Sequence, residues 1–168
     1  LNFDLPKYVG LNEMVEELAR KLTLTRFQGP RIAQETLVDD IAKASQEYLE
    51  QRLGPQGIAY NIWREVARPF NDGIQPVLVF GTTFVPDLVV DVVGKPALAF
   101  CIRCIAPGPM SSHNISAIVG ESLVYSHQYP AVIAFLYLGN IDRDYMHLMD
   151  KEIIMELWHE HKIRLILR

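Results

Sequence analysis

The strongest constraint on the fold lies in residues 87–105, where two apolar runs, DLVVDVV and ALAFCIRCI, are separated by Gly94, Lys95 and Pro96. Short apolar runs rich in β-branched residues and bounded by turn residues read as strands, and two of them joined this closely read as an antiparallel hairpin. Pro96 has no N–H to close the first hydrogen-bonded pair of a two-residue turn, so a three-residue loop is expected, with Val93 facing Ala97. That register sets Asp91 opposite Ala99, Val89 opposite Cys101 and Asp87 opposite Arg103. Side chains alternate across a sheet. One face therefore carries Leu88, Val90, Val92, Leu98, Phe100 and Ile102, all apolar, and the other carries Asp87, Asp91, Cys101 and Arg103. Such a hairpin belongs in the middle of a sheet, with one side in a core and the other chemically marked.

Helical periodicity surrounds it. A helix is expected from a cap at Asn12 to about Leu22, with Met14, Val15, Leu18, Ala19 and Leu22 on one side. A longer one is expected from Gly29-Pro30 to about Leu53, with Ala33, Leu37, Val38, Ile41, Ala44, Tyr48 and Leu49 on its apolar arc and Gly54-Pro55 ending it. Strands are expected at residues 58–63, 77–80, 131–138 and 162–168, and helices at 112–128 and from a cap at Asp150 to Trp158. The whole is read as one α/β domain over 1–168, with 1–28 as an N-terminal helical extension and 29–168 as the core.

Composition narrows the function classes. Of 168 residues 49% are hydrophobic and 21% charged, enough to bury one core, and the net charge of -4 with no Lys/Arg run argues against bulk electrostatic grip on nucleic acid. No stretch reaches the roughly 20 apolar residues that cross a bilayer, so no membrane partner is expected. The opening LNFDLPKYVG has no basic and apolar leader pattern, and a cytoplasmic location is the expectation.

Cys101 and Cys104 form a C-x-x-C, but within a strand they point to opposite faces and can neither close a disulfide easily nor chelate together. They read as small buried thiols. His159 and His161 diverge by ~200° on a helix and read as a solvated end. His113 and His127 flank a helix near the marked face, as polar loop residues or phosphate contacts. Ser111-Ser112-His113 reads as a helix cap, because no G-x-S-x-G elbow accompanies it.

Pro86-Asp87, thirteen intervening residues, then Cys101-Ile102-Arg103 at the end of an apolar strand resembles the signature of the PD-(D/E)XK nuclease superfamily, with its third motif changed to C-x-R. The order of elements is similar too: a leading helix, a hairpin bearing the motif, a helix, a buried strand, and a final helix and strand. Arg31-Ile-Ala-Gln-Glu35 resembles the leading helix of restriction-subunit nuclease domains, and Glu121-Ser-Leu-Val-Tyr125 stands where some branches carry Q-x-x-x-Y. The resemblance implies a restriction-endonuclease-like or Holliday-junction-resolvase-like mixed sheet flanked by helices. It also implies a site in which carboxylates hold Mg²⁺ or Mn²⁺, the metal activates water, and a lysine assists.

Carried over to these positions, Asp87 is the surviving metal ligand, Cys101 takes the second carboxylate's place and Arg103 takes the lysine's. A thiol is a poor ligand for hard Mg²⁺, and arginine cannot deprotonate to act as a base. From the leading helix the inward candidate is Gln34 rather than Glu35, while Asp91 or Glu121 are the carboxylates able to compensate. Beside this stands the plainer reading, in which Asp87 enters a strand and pairs with Arg103 as a structural ion pair. Three functions remain open: a catalytically impaired nuclease-like module for nucleic-acid-related binding or assembly, an active Mg-dependent endonuclease with a rearranged site, and a globular protein-interaction domain. The partners implied are DNA or RNA bound weakly, a second copy, or another protein.

Overall fold

The computed structural model describes residues 10–27, 32–64, 74–104, 112–139 and 151–168. In chain order these form α1 (Leu11–Leu24), α2 (Gln34–Leu53), β1 (Tyr60–Arg64), β2 (Val77–Val79), β3 (Thr82–Phe84), β4 (Leu88–Val92), β5 (Lys95–Cys104), α3 (Ser112–Ser126), β6 (Val132–Tyr137), α4 (Lys151–His161) and β7 (Ile163–Leu167). The fold is α/β, as expected: a mixed five-stranded sheet in the order β1-β4-β5-β6-β7 packed with four helices, with β2 and β3 as a separate small hairpin. The strands β1, β4 and β5 run antiparallel, whereas β5, β6 and β7 run parallel. No helix among the described residues is long and apolar enough to cross a membrane.

Alternation in β4 and β5 builds two core layers. Leu88, Val90, Val92, Leu98, Phe100 and Ile102 pack with Met14, Leu18 and Leu22 of α1 and Leu37, Ile41 and Leu49 of α2. Val89, Ala99 and Cys101 pack on the opposite side with Ile118 and Tyr125 of α3 and Leu157 of α4. Interior β6 is buried on both faces, which is why Val132-Ile-Ala-Phe-Leu-Tyr137 carries no charged position. The segment read as an N-terminal extension contributes α1 directly to the first layer, and the Glu16–Arg164 ion pair at 3.2 Å ties it to β7.

The hairpin turn departs from expectation. Instead of three loop residues, Val93 and Gly94 alone make the turn, with φ of 56° and 71°, the left-handed pair of a type I′ turn. Val92 faces Lys95 and Asp91 faces Pro96; after an irregularity in register, Val90 faces Leu98, Val89 faces Ala99 and Leu88 faces Phe100. Pro96 is tolerated because Lys95 supplies the closing pair, and β6 begins its pairing with β5 only at Ala99, so no ladder bond on that side needs a Pro96 N–H. The expected register is wrong by two residues from Val90 to Leu88 and by three at Asp91, so Asp87 is not directly opposite Arg103. A shift of two leaves the side chains of Leu88, Val89 and Val90 on their expected faces.

Helix starts differ as well. Gly10, not Asn12, occupies the N-cap of α1, with its carbonyl accepting from the Met14 N–H at 2.9 Å. The helix α2 begins at Gln34 after an exposed Ala33, which is therefore not part of the buried arc. Gly29-Pro30, Asp150 and Ser111 lie outside the described residues, as do the side chains of Ser112 and His113.

Candidate functional site

The candidate site forms at the entry of β4, where β5 runs on beyond it. The backbone of Ala99 turns toward β6, its N–H donating to the Ala131 carbonyl, while the Phe100 carbonyl turns toward the entry of β4 and accepts from the Asp87 N–H at 3.0 Å. By alternation, Ile102 and Cys104 also present their backbone groups on the β4 side, where the strand has stopped. Two side chains replace the missing strand. One Asp87 carboxylate oxygen accepts from the Ile102 N–H at 2.7 Å. Gln34, at the first position of α2, accepts from the Cys104 N–H at 3.0 Å and donates to the Ile102 carbonyl at 2.6 Å. Buried backbone groups require such partners, so both residues have a definite structural task.

Arg103 leaves β5 on the opposite face from Ile102 and turns its guanidinium back over this corner. One nitrogen donates to the same Asp87 oxygen at 3.1 Å and to the Ile102 carbonyl at 2.7 Å; the other donates to Glu121 of α3. Glu121 reaches the site because it lies one helical turn from Tyr125, which is buried against the sheet and donates to the Val85 carbonyl at 2.8 Å. The Cys101 thiol points at the same Glu121 oxygen from 3.4 Å. The result is a cluster of two carboxylates, one guanidinium, one thiol and one phenol, with Asp87 16% and Glu121 23% exposed.

Its electrostatics follow from that geometry. Burial works against the Arg103 charge, but Cys101, Asp87 and Glu121 together more than reverse this and hold its pKa above the usual arginine value. Burial pushes the Cys101 thiol well up and keeps it protonated at neutral pH, so the thiol itself brings no charge to Arg103 there. Burial, followed by the field of Cys101, Glu121 and Asp87, likewise pushes the Tyr125 phenol up. None of the three is poised to exchange a proton near neutral pH.

The chain thus brings together Asp87, Cys101, Arg103, Gln34 and Glu121. Asp91 and Glu35 are not part of the cluster. Asp91 sits at the turn end of β4, where it accepts from Trp63 Nε1 at 2.5 Å and from Asn61 Nδ2 at 3.3 Å. Glu35 is exposed, one position round the helix from the inward Gln34. Cys101 and Cys104 belong to opposite core layers, and both are free thiols. His127, His159 and His161 are exposed. The partners of Asp91 were not legible beforehand; only the placement of β1 beside β4, with Asn61 facing Asp91, reveals them.

The residues do not fit the Mg²⁺ or Mn²⁺ that the sequence resemblance implies. Such ions need several oxygen ligands around one point. Among the described residues no three His, Cys, Asp or Glu side chains are placed to hold a metal ion. Asp87 and Glu121 instead converge on the Arg103 guanidinium, and the third donor is a protonated thiol. No protein-family model, curated protein or solved structure matches the chain, so this arrangement itself carries the functional argument.

Proposed function

We propose that the chain is a PD-(D/E)XK-nuclease-like domain whose metal corner has become an internal ion-pair cluster, and that it serves as a nucleic-acid-related binding or assembly module rather than as a nuclease. The observation that carries the proposal is the position of the Arg103 guanidinium between Asp87 and Glu121, the two carboxylates to which the resemblance would assign a metal. Arginine supplies the positive charge permanently, yet it can neither activate a water as a metal does nor act as a base. What supports this reading is the order α2, β4–β5 hairpin, α3, β6, α4, β7, with Pro86-Asp87 just before β4 and Cys101-Ile102-Arg103 near the end of β5. A cytoplasmic location belongs to the same proposal.

The cluster's formal charge is one negative, from two carboxylates and one guanidinium, so it offers no surplus cation to a phosphate backbone. DNA or RNA binding is expected to be weak and to disappear with salt, and a protein partner or second copy takes the main role. The test is isothermal titration of Mn²⁺ and Mg²⁺ into the protein and into Asp87→Ala, with plasmid and single-stranded DNA cleavage assayed in the same buffers. No saturable metal binding and no cleavage is the expected result. Binding that the substitution abolishes, together with cleavage, would establish a rearranged Mg-dependent endonuclease and overturn the proposal. Labelled duplex that shows no salt-dependent anisotropy change at any protein concentration would overturn the nucleic-acid part and leave a plain interaction domain.

A further inference from the structure

The sheet has two outer edges, and their surroundings differ in charge. Beside β1 runs a groove lined by Glu50 and Gln46 with no basic residue, and Glu50 already accepts from the Tyr60 hydroxyl at 2.7 Å. Beside β7 runs a groove of about 300 Å³ whose far wall is α1; its charged residues are Arg20, Arg164 and Glu16, and its other lining includes Leu24 of α1 and residues 165–167 of β7. The strand β7 has no proline, no bulge and no neighbour on its outer side among the described residues. Its even-numbered positions face β6, as the bonds from Val132 N–H to the Lys162 carbonyl and from Arg168 N–H to the Leu136 carbonyl show. By alternation Ile163, Leu165 and Leu167 direct their backbone N–H and C=O groups outward. Proteins normally blunt such an edge, and among the described residues no further strand pairs with this one.

The side chains beside that edge are sorted by face. Arg164 and Ile166 point to the α1 side, while Leu165 and Leu167 pack with the layer on the other side. On the α1 side, Arg20 is exposed and makes no hydrogen bond or ion pair with any described residue. The nearby carboxylate whose field it adds to, Glu17, is already bound by Tyr48 and Arg52. Leu24 is 74% exposed. The groove is lined by two arginines against the single Glu16, in a chain whose overall charge is -4. The patch is opposite in sign to the molecule as a whole.

We propose that the β7 edge and the adjoining face of α1 form a docking groove for an extended segment of a partner protein that alternates acidic and aliphatic side chains, added to the sheet as a sixth strand. Main-chain bonds to Ile163, Leu165 and Leu167 supply the affinity, as in other strand additions. The acidic side chains of the added strand lie on the α1 side, toward Arg20 and Arg164. Its aliphatic side chains continue the layer of Leu165 and Leu167. The proposal does not depend on the nuclease resemblance.

The probe is a fluorescein-labelled peptide of three Val-Glu repeats closed by Val, with both ends blocked, titrated by anisotropy into the full chain at low salt. Saturable binding is expected, weakened by at least about tenfold in Arg20→Glu and lost when the glutamates of the probe are replaced by lysine. Only one edge of an added strand faces β7. N-methylation of alternate amides in one set is therefore expected to abolish binding, and the complementary set to leave it nearly intact. This comparison leaves the protein unaltered, so misfolding cannot mimic it. Absence of saturation up to about 1 mM, equal effects of the two methylation sets, or equal binding of the lysine peptide would overturn the proposal. So would concentration-dependent dimerisation in sedimentation that Leu165→Pro removes, since the edge would then pair with a second copy.

Discussion

Asp87, just before β4, and Asp91, within it, lie four positions apart on the same face of the hairpin, and the protein uses them differently. Asp91, 7% exposed, is held by Trp63 and Asn61, both from β1, the strand hydrogen-bonded to its own. Its partners are neutral and lie within one sheet layer. Asp87 accepts from a backbone N–H of β5 and from a guanidinium that also grips Glu121 on α3, so its contacts join two layers. Burial alone does not mark a carboxylate as part of a site. Convergence of charges from separate elements distinguishes the two ends of the hairpin.

The comparison is broken most directly by removing each carboxylate in turn. Asp87→Ala leaves the Ile102 N–H without its acceptor and takes one of two carboxylates from Arg103, and a loss of about 3 kcal/mol is expected in urea unfolding. Asp91→Ala orphans only neutral donors, one on the exposed Asn61, and about 1–2 kcal/mol is expected. A larger loss at Asp91 would mean that the ladder end, not the cluster, holds the hairpin.

Gln34→Leu tests whether side chains do replace the missing strand beside β5. It removes one bond to the Cys104 N–H and one to the Ile102 carbonyl, and about 1–2 kcal/mol of stability is expected to go with them, read by the same unfolding curves. The charge cluster is sharpened by pH. Cys101 and Tyr125 keep their protons in the folded protein above their ordinary values of 9.0 and 10.0, because burial disfavours the anions. The unfolded chain releases those protons at the ordinary values. Stability is thus at full strength below about pH 9 and falls as pH rises beyond it. Melting temperatures measured from pH 7 to 11 should show that fall, less steep in Cys101→Ala and unchanged in slope in Asp91→Asn. The smallest effect is expected at Glu35→Ala, within about 0.5 kcal/mol, because the side chain is exposed. A loss there equal to that of Gln34→Leu would show that the inward face of α2 has been misassigned.

Period-two alternation made the faces of the hairpin legible without any partner: Leu88, Val90 and Val92 had to enter one layer whatever the register, and a register two or three residues out still placed them correctly. Period 3.6 likewise separated inward Gln34 from outward Glu35. The turn was not legible, because a β-branched Val93 at positive φ is disfavoured locally and is held only by the pairing on either side of it. Nor were the starts of α1 and α2, where Gly10 and Ala33 flank the helices without any side-chain cap bond.

What the sequence determined by itself was the α/β class, the two-faced central hairpin and the candidacy of Asp87, Cys101 and Arg103, since each follows from local periodicity and residue chemistry. Tertiary structure alone decided that Glu121 closes the cluster, that Asp91 is excluded from it, and that a guanidinium fills the space between the carboxylates. Those outcomes depend on which elements pack together, and contacts between β5 and a helix that follows it are set by the docking of whole layers rather than by any pattern within either segment.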